Sequence, residues 1–331
     1  MDDIEELVKK LGDPDPKVKS DAAEALSDAA FNGADITVAV SALVEALSDR
    51  YARVRGNAAL ALRNAARNGT NMSVAIPALV KALSDAKKTV QKRAARALES
   101  ADTHGADISA AIPALAKLLS DEDVRGDAVW TLMFAATKGA DISVAIPALP
   151  KAFSDRDVRV RENAVCALKY AALLHGADIS AAVPALAEAV FAGDKDVHEI
   201  AAEALDAAIA NEKSRDAALS ALVKKLSDMD ASVWRMDART FGEFIERCAS
   251  VEALGAMAAK LQESYSVLKE KCRYGKEQEP IGTGFRFYRL MVRIADKKNA
   301  LASQHDILLD EKPKPPKKGG VYQEIRRARN G

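Results

Sequence analysis

The chain has 331 residues, 49% of them hydrophobic but only 5% aromatic, and its 48 basic residues balance 48 acidic ones. Such a composition suits thin layers of Ala, Leu and Val better than one large globular core, and zero net charge excludes a long-range field that would steer the whole chain to nucleic acid or an acidic membrane. No run of 18 apolar residues occurs, the start Met1-Asp2-Asp3-Ile4-Glu5-Glu6 is acidic where a targeting segment would be basic, and Cys166, Cys248 and Cys272 are odd in number with no CxxC spacing; a soluble protein of a reducing compartment, the cytoplasm, is expected.

In chain order, the tract Gly33-Ala34-Asp35-Ile36-Thr37-Val38-Ala39 returns in degenerate form at Gly69 and nearly verbatim at Gly105, Gly139 and Gly176, at spacings of 36, 36, 34 and 37 residues. A period of this length marks a solenoid, in which each repeat is too small to bury its own apolar face and stacks on its neighbours. Val18, Val54, Val90, Val124, Val160, Val197 and Val233 recur at equivalent places and define seven repeats over residues 1–250. Within a repeat, a run such as Ile76-Pro77-Ala78-Leu79-Val80-Lys81-Ala82-Leu83 places its apolar residues on one face of a first helix, here called A. Pro77, Pro113, Pro147 and Pro184 fit its first turn, where N–H groups have no intrahelical partner, and the preceding Asp, Ser or Thr supplies cap oxygens. A polar turn such as Ser48-Asp49 or Ser84-Asp85 leads to a second helix, B, for example Val54 to Ala66 with Val54, Ala58, Leu62 and Ala65 inward. The glycine that follows is expected to end helix B in a left-handed cap.

These helical hairpins resemble the HEAT-repeat family. The resemblance rests on the helix A proline, the turn aspartates Asp13, Asp49, Asp85, Asp121, Asp155 and Asp228, and the basic residue after the anchor valine in Val18-Lys19, Val54-Arg55, Val124-Arg125 and Val160-Arg161. It implies an all-α fold, a right-handed alpha-alpha superhelix in which aspartate and basic residue form a ladder between repeats and the B helices line the concave side. Gln91, His198 and Trp234 replace the basic residue, so the ladder is expected to break there.

From residue 251 the period is lost. A helix from Val251 to about Cys272 and an aromatic-rich helix from Phe285 to Ile294 are read as a divergent helical cap over 251–310. The Pro/Lys-rich stretch from Glu311 to Gly320 opens a flexible basic tail over 311–331. Residues 1–36 hold 4 basic and 10 acidic groups, whereas residues 251–331 hold 17 and 10, a net +7. The tail candidates for an anionic partner are Lys314, Lys317, Lys318, Arg326, Arg327 and Arg329.

No catalytic constellation emerges, and neither metal nor cofactor is expected. Val197-His198-Glu199 resembles one of the His-Glu motifs by which the HEAT-like deoxyhypusine hydroxylases hold a di-iron centre, but a single His-Glu pair cannot fill a two-metal coordination sphere, and the equivalent pairs in the other repeats are absent. The partner-binding candidates come instead from comparing repeats. Positions two, six, nine and thirteen after the anchor valine vary and share one helical face. With the tenth position they bring Trp130, Met133, Phe134, Lys169 and Tyr170 to the central repeats, flanked by Arg63, Arg67 and Arg96 on one side and by Glu199, Glu203 and Asp206 on the other. Aromatic, Met and Arg residues are the enriched anchors of protein interfaces. The expectation is a monomeric, non-enzymatic scaffold that binds a protein through its concave face; the alternative is an RNA- or ribosome-associated factor that binds through the basic C-terminal region.

Overall fold

The computed structural model describes residues 3–191, 195–228, 254–255, 258–259, 262 and 293–297. Every regular element among them is helical. The chain divides into two compact bodies, Met1–Ala177 and Asp178–Gly331.

In the N-terminal body the A helices are α1 (Ile4–Leu11), α3 (Val40–Ala46), α5 (Ile76–Ala82) and α7 (Ile112–Leu118), and the B helices are α2 (Pro16–Phe31), α4 (Ala52–Arg67), α6 (Lys88–Thr103), α8 (Glu122–Thr137) and α9 (Val158–His175). The B helices lie side by side in sequence order, each packed on the next, and each A helix packs on the B helix that follows it. A seven-residue helix is too short to persist alone, so α3, α5 and α7 exist because Leu43, Leu79 and Leu115 are buried between the two rows. On the facing row Val54, Ala58, Leu62 and Ala65 are fully buried, as the period requires. The C-terminal body contains α10 (Val183–Phe191), α11 (Lys195–Ala210) and α12 (Glu212–Asp228), which pack on one another. The second helix of the seventh repeat, most of the 251–310 segment and the whole 311–331 tail lie outside the described residues.

Two local expectations are corrected. The aspartates before helix A cap a short 3₁₀ turn rather than the α-helix itself: Asp35 and Asp107 each accept the N–H two residues on at 2.9 Å, and the α-helix starts only after that turn. In the fifth repeat helix A is not α at all but a 3₁₀ segment, Leu149–Ser154. Pro150 is the cause. An α-helix begun at Ile146 would need the N–H of residue 150, which proline lacks, and its ring would crowd the Ile146 carbonyl.

The ladder between repeats is present. Lys19 Nζ reaches Asp49 Oδ2 at 2.7 Å, Arg55 Nη2 reaches Asp85 Oδ1 at 2.8 Å, and Arg125 Nη1 reaches Asp155 Oδ2 at 3.1 Å. Each of these aspartates also accepts a backbone N–H of its own turn, from Tyr51, Lys87 and Asp157. Arg55, Arg125 and Arg161 in addition donate to a carbonyl of the turn that precedes them. The expected break at Gln91 does not occur. Gln91 Nε2 still donates to the Asp85 carbonyl, and Lys88, one helical turn earlier, takes over the ion pair to Asp121. At His198 the Nδ1 sits 2.7 Å from the Val190 carbonyl, so the ring serves the same turn-closing contact. Trp234 lies outside the described residues.

The Arg55 guanidinium bonded to Asp85 holds its carboxyl below the ordinary carboxylate range, against the opposing effect of burial. Asp85→Asn keeps an acceptor for the turn N–H and removes the charge. It is expected to lower unfolding free energy at neutral pH by about 2 to 3 kcal/mol, less than a fully buried pair because Arg55 keeps some solvent contact. A depressed carboxyl contributes its stabilisation above the unfolded value of about 3.9 and loses it as pH falls through the lower folded value. Urea melts should therefore separate the two proteins at pH 7 and bring them together as pH falls through the lowered folded value.

Gly33, Gly69, Gly105, Gly139 and Gly176 all adopt positive φ, as the cap reading requires. At Gly105, with φ +91°, no neighbouring atom lies within 4 Å of a Cβ, so the penalty of a side chain there is purely conformational. Gly105→Val is expected to destabilise by about 1 to 2 kcal/mol in the same assay, and Gly105→Asn by less.

One buried group opposes the fold. Asp102 occupies the α6 position that holds Ala30, Ala66, Ala136 and Ala172 in the other repeats of this body, is 7% exposed, and leaves Oδ2 without a hydrogen-bond partner. Burial pushes its carboxyl above the ordinary range; Lys138 opposes this, and Glu99 and Asp107 add to it. With a raised folded value, its contribution to stability is most favourable below about pH 4 and declines as pH rises through the folded value. Asp102→Ala should raise the Tm by a few degrees at pH 7, equivalent to about 1 to 2 kcal/mol, and by less at pH 4.

Candidate functional site

The outward face of the B-helix row in the N-terminal body is built from positions that the core does not use. Six and thirteen residues after the anchor valine, the side chains stand exposed at Glu24, Arg96 and Trp130 and at Phe31, Arg67 and Thr103. Positions two, nine and ten flank them and are partly covered by the next helix. Not all of these variable positions are surface: Ser20, Gly56, Ser27, Asn64 and Ser100 are buried packing positions. Asn64 Nδ2 donates to the Ser27 carbonyl at 3.1 Å and to its hydroxyl at 3.0 Å, and Asn57 Nδ2 makes the same pair of contacts with Ser20. These amides pin neighbouring B helices together and satisfy polar groups that burial would otherwise penalise.

The aromatic candidates come together. Trp130 and Phe134, one turn apart on α8, pack with ring centroids 5.0 Å apart and planes tilted by 51°, a favourable edge-biased geometry. Trp130 remains 41% exposed, while Met133 and Phe134 are half-buried beside it in the helix row. On α9, Lys169 Nζ lies 4.8 Å from the centre of the Tyr170 ring, which ties those two candidates to each other by a cation–π contact.

The arginine candidates divide by partner. Arg96 donates from Nε to Asp127 Oδ1 at 2.6 Å. Arg63 and Arg67 form no ion pair with a described residue. The Nε of Arg63 is buried without a hydrogen-bond partner. Burial, followed by the charges of Arg67 and Arg96, lowers the tendency of Arg63 to carry its own charge, and Glu99 and Asp127 only partly compensate. Sequence comparison missed two residues that shape this patch: Asp127, which holds Arg96, and Arg93, whose Nη1 donates to Asn57 Oδ1 at 2.8 Å. Both stand three residues after their anchor valine, a position that is polar in all five repeats of this body as Asp21, Asn57, Arg93, Asp127 and Asn163; that run of polar residues was the available signal.

Glu199, Glu203 and Asp206, the acidic flank, lie on α11 of the C-terminal body, the first two exposed and the third half-buried. The tail candidates Lys314, Lys317, Lys318, Arg326, Arg327 and Arg329 lie outside the described residues. Among the described residues, no group of three or more His, Cys, Asp and Glu side chains is placed to hold a metal ion, Cys166 is half-buried on α9, and no helix is long and apolar enough to cross a membrane.

Among solved structures, the chain is similar to an engineered protein at 28% identity and TM-score 0.52, over 62% of this chain and 96% of that one, and to a second engineered protein at 25% identity and TM-score 0.53, over 99% and 88%. It is also similar to a designed armadillo repeat protein in complex with the peptide (KR)4, at 25% identity and TM-score 0.51, over 62% of this chain and 99% of that one. Comparison with curated proteins gives no match. A family model described as HEAT repeats matches residues 4–99, 40–133 and 76–169, overlapping placements that step along the repeats built above and together span half of the chain. The hairpins, their aspartate ladder and this match establish that the chain belongs to the HEAT-repeat family.

Proposed function

We propose that this protein is a cytoplasmic, non-enzymatic scaffold that binds a protein partner through the outward face of its B helices, centred on Trp130. The observation that carries this reading is the exposure of Trp130, 41% open to solvent in a chain that uses only two tryptophans. An indole left half in water on a repeat whose neighbours place Glu24, Leu60, Arg96 and Cys166 at the same position is not required by packing, and aromatic side chains in such places are typical interface anchors. Arg63, Arg67, Arg96, Met133, Phe134, Lys169 and Tyr170 belong to the same face and are assigned to the same contact. The designed armadillo repeat protein with its bound (KR)4 peptide supports peptide recognition on this kind of scaffold.

Trp130→Ala is expected to leave the Tm within about 2 °C of the parent, because a side chain already exposed contributes little to the core, while weakening partner capture by about 2 kcal/mol or more. A pull-down compared with a thermal melt checks both halves. Early unfolding with unchanged capture would place Trp130 in the core and overturn the reading. A contact made instead by the basic residues after 310 would survive Trp130→Ala and weaken steeply with added salt.

A further inference from the structure

The face described above carries its charge and its apolar surface at one level. Arg63 and Arg67 stand nine and thirteen residues after the anchor of α4, and Trp130 and Phe134 stand six and ten after the anchor of α8. Measured along the helices, the centres of the two pairs differ by three residues, about 4.5 Å. Across the row they are separated by two helix spacings, roughly 16 to 20 Å at the usual 8 to 10 Å per packed pair. An extended chain crossing the row would cover that distance in five or six residues at about 3.3 Å each.

The two pairs ask for different chemistry. Of the four arginines at this patch on α4 and α6, Arg93 is held by Asn57 and Arg96 by Asp127, whereas Arg63 and Arg67 form no ion pair with a described residue. Arg63 is also partly desolvated beside the like charge of Arg67, with its Nε unpartnered. A carboxylate placed there would relieve the repulsion and accept guanidinium N–H groups, and an ammonium or a third guanidinium would worsen it. At the other end Trp130 offers an exposed ring backed by Phe134, which suits a large apolar side chain.

Building on the groove reading, we infer that the partner contributes an extended acidic and apolar segment: neighbouring Asp or Glu residues bound at Arg63 and Arg67, and a large apolar residue five or six positions away packed on Trp130 and Phe134. Arg96, already neutralised by Asp127, contributes hydrogen-bonding edge rather than net charge. The Arg pair sets selectivity and the aromatic pair supplies buried area. Basic segments are rejected.

The test uses end-capped peptides in which two glutamates, five serine or glycine residues and one leucine follow in order, the same peptide in reverse order, and versions with glutamine or lysine in place of glutamate. Affinities are measured by calorimetry on the full chain at low and at moderate salt. Trp130 emission is isolated by comparing the parent with Trp130→Phe. One of the two glutamate peptides is expected to bind at least tenfold more tightly than its glutamine version, to shift Trp130 emission, and to lose about tenfold on Arg67→Glu or Arg63→Gln; the lysine version should not bind. Arg67 is exposed, so Arg67→Glu gives an answer even if replacing the half-buried Arg63 perturbs folding. Equal binding of glutamate and glutamine peptides, binding unaffected by Arg67→Glu, or no binding of any probe overturns the acidic-segment inference. The groove reading fails separately, when Trp130→Ala changes neither the affinity of a bound probe nor partner capture.

Discussion

Asp49, Asp85, Asp121 and Asp155 each serve two partners at once, and the stack depends on that double use. One acceptor interaction, with a backbone N–H two residues on, sets the conformation of the turn that joins helix A to helix B. The other receives the cation of the preceding repeat, as Asp49 receives Lys19 and Asp85 receives Arg55. Turn geometry and repeat stacking are thus coupled through a single carboxylate. Seven-residue A helices have little stability of their own, and their burial is possible only when the adjacent repeat is held in register. The replacement at Gln91 makes the physical demand plain: Lys88 meets Asp121 from one turn away, so what the ladder requires is a cation at that point in space rather than a given residue at a given position.

A second set of contacts runs along the B-helix row. Asn57 and Asn64 reach the carbonyls and hydroxyls of Ser20 and Ser27, and Thr131 reaches the Ala95 carbonyl, so neighbouring helices are joined by hydrogen bonds as well as by alanine packing. With stacking secured by these amides and by the ladder, the outermost positions of the row are free to vary in residue type. They change character from repeat to repeat: acidic at Glu24, cationic around Arg63 and Arg67, aromatic at Trp130. That succession is what a surface for an extended partner requires, because each repeat contributes one contact and the helix spacing sets the distance between contacts.

The sequence alone determined the period, the hairpin in each repeat, the left-handed glycine caps and the inward face of helix B, since all follow from residue types recurring at fixed spacing. It also placed Trp130, Arg67 and Arg96 on the outward face. It could not distinguish Ser27 or Asn64 from surface residues at the equivalent positions of other repeats, because whether a flanking position is covered depends on the adjacent helix and not on its own. Tertiary structure alone decided that Lys88 substitutes for the missing cation at Gln91, that Arg96 is neutralised by Asp127 while Arg63 and Arg67 are not, and that Asp102 is buried with one oxygen unpartnered. These outcomes depend on side chains about thirty residues or more apart meeting across a helix interface, and no local pattern encodes which of several possible pairs will form.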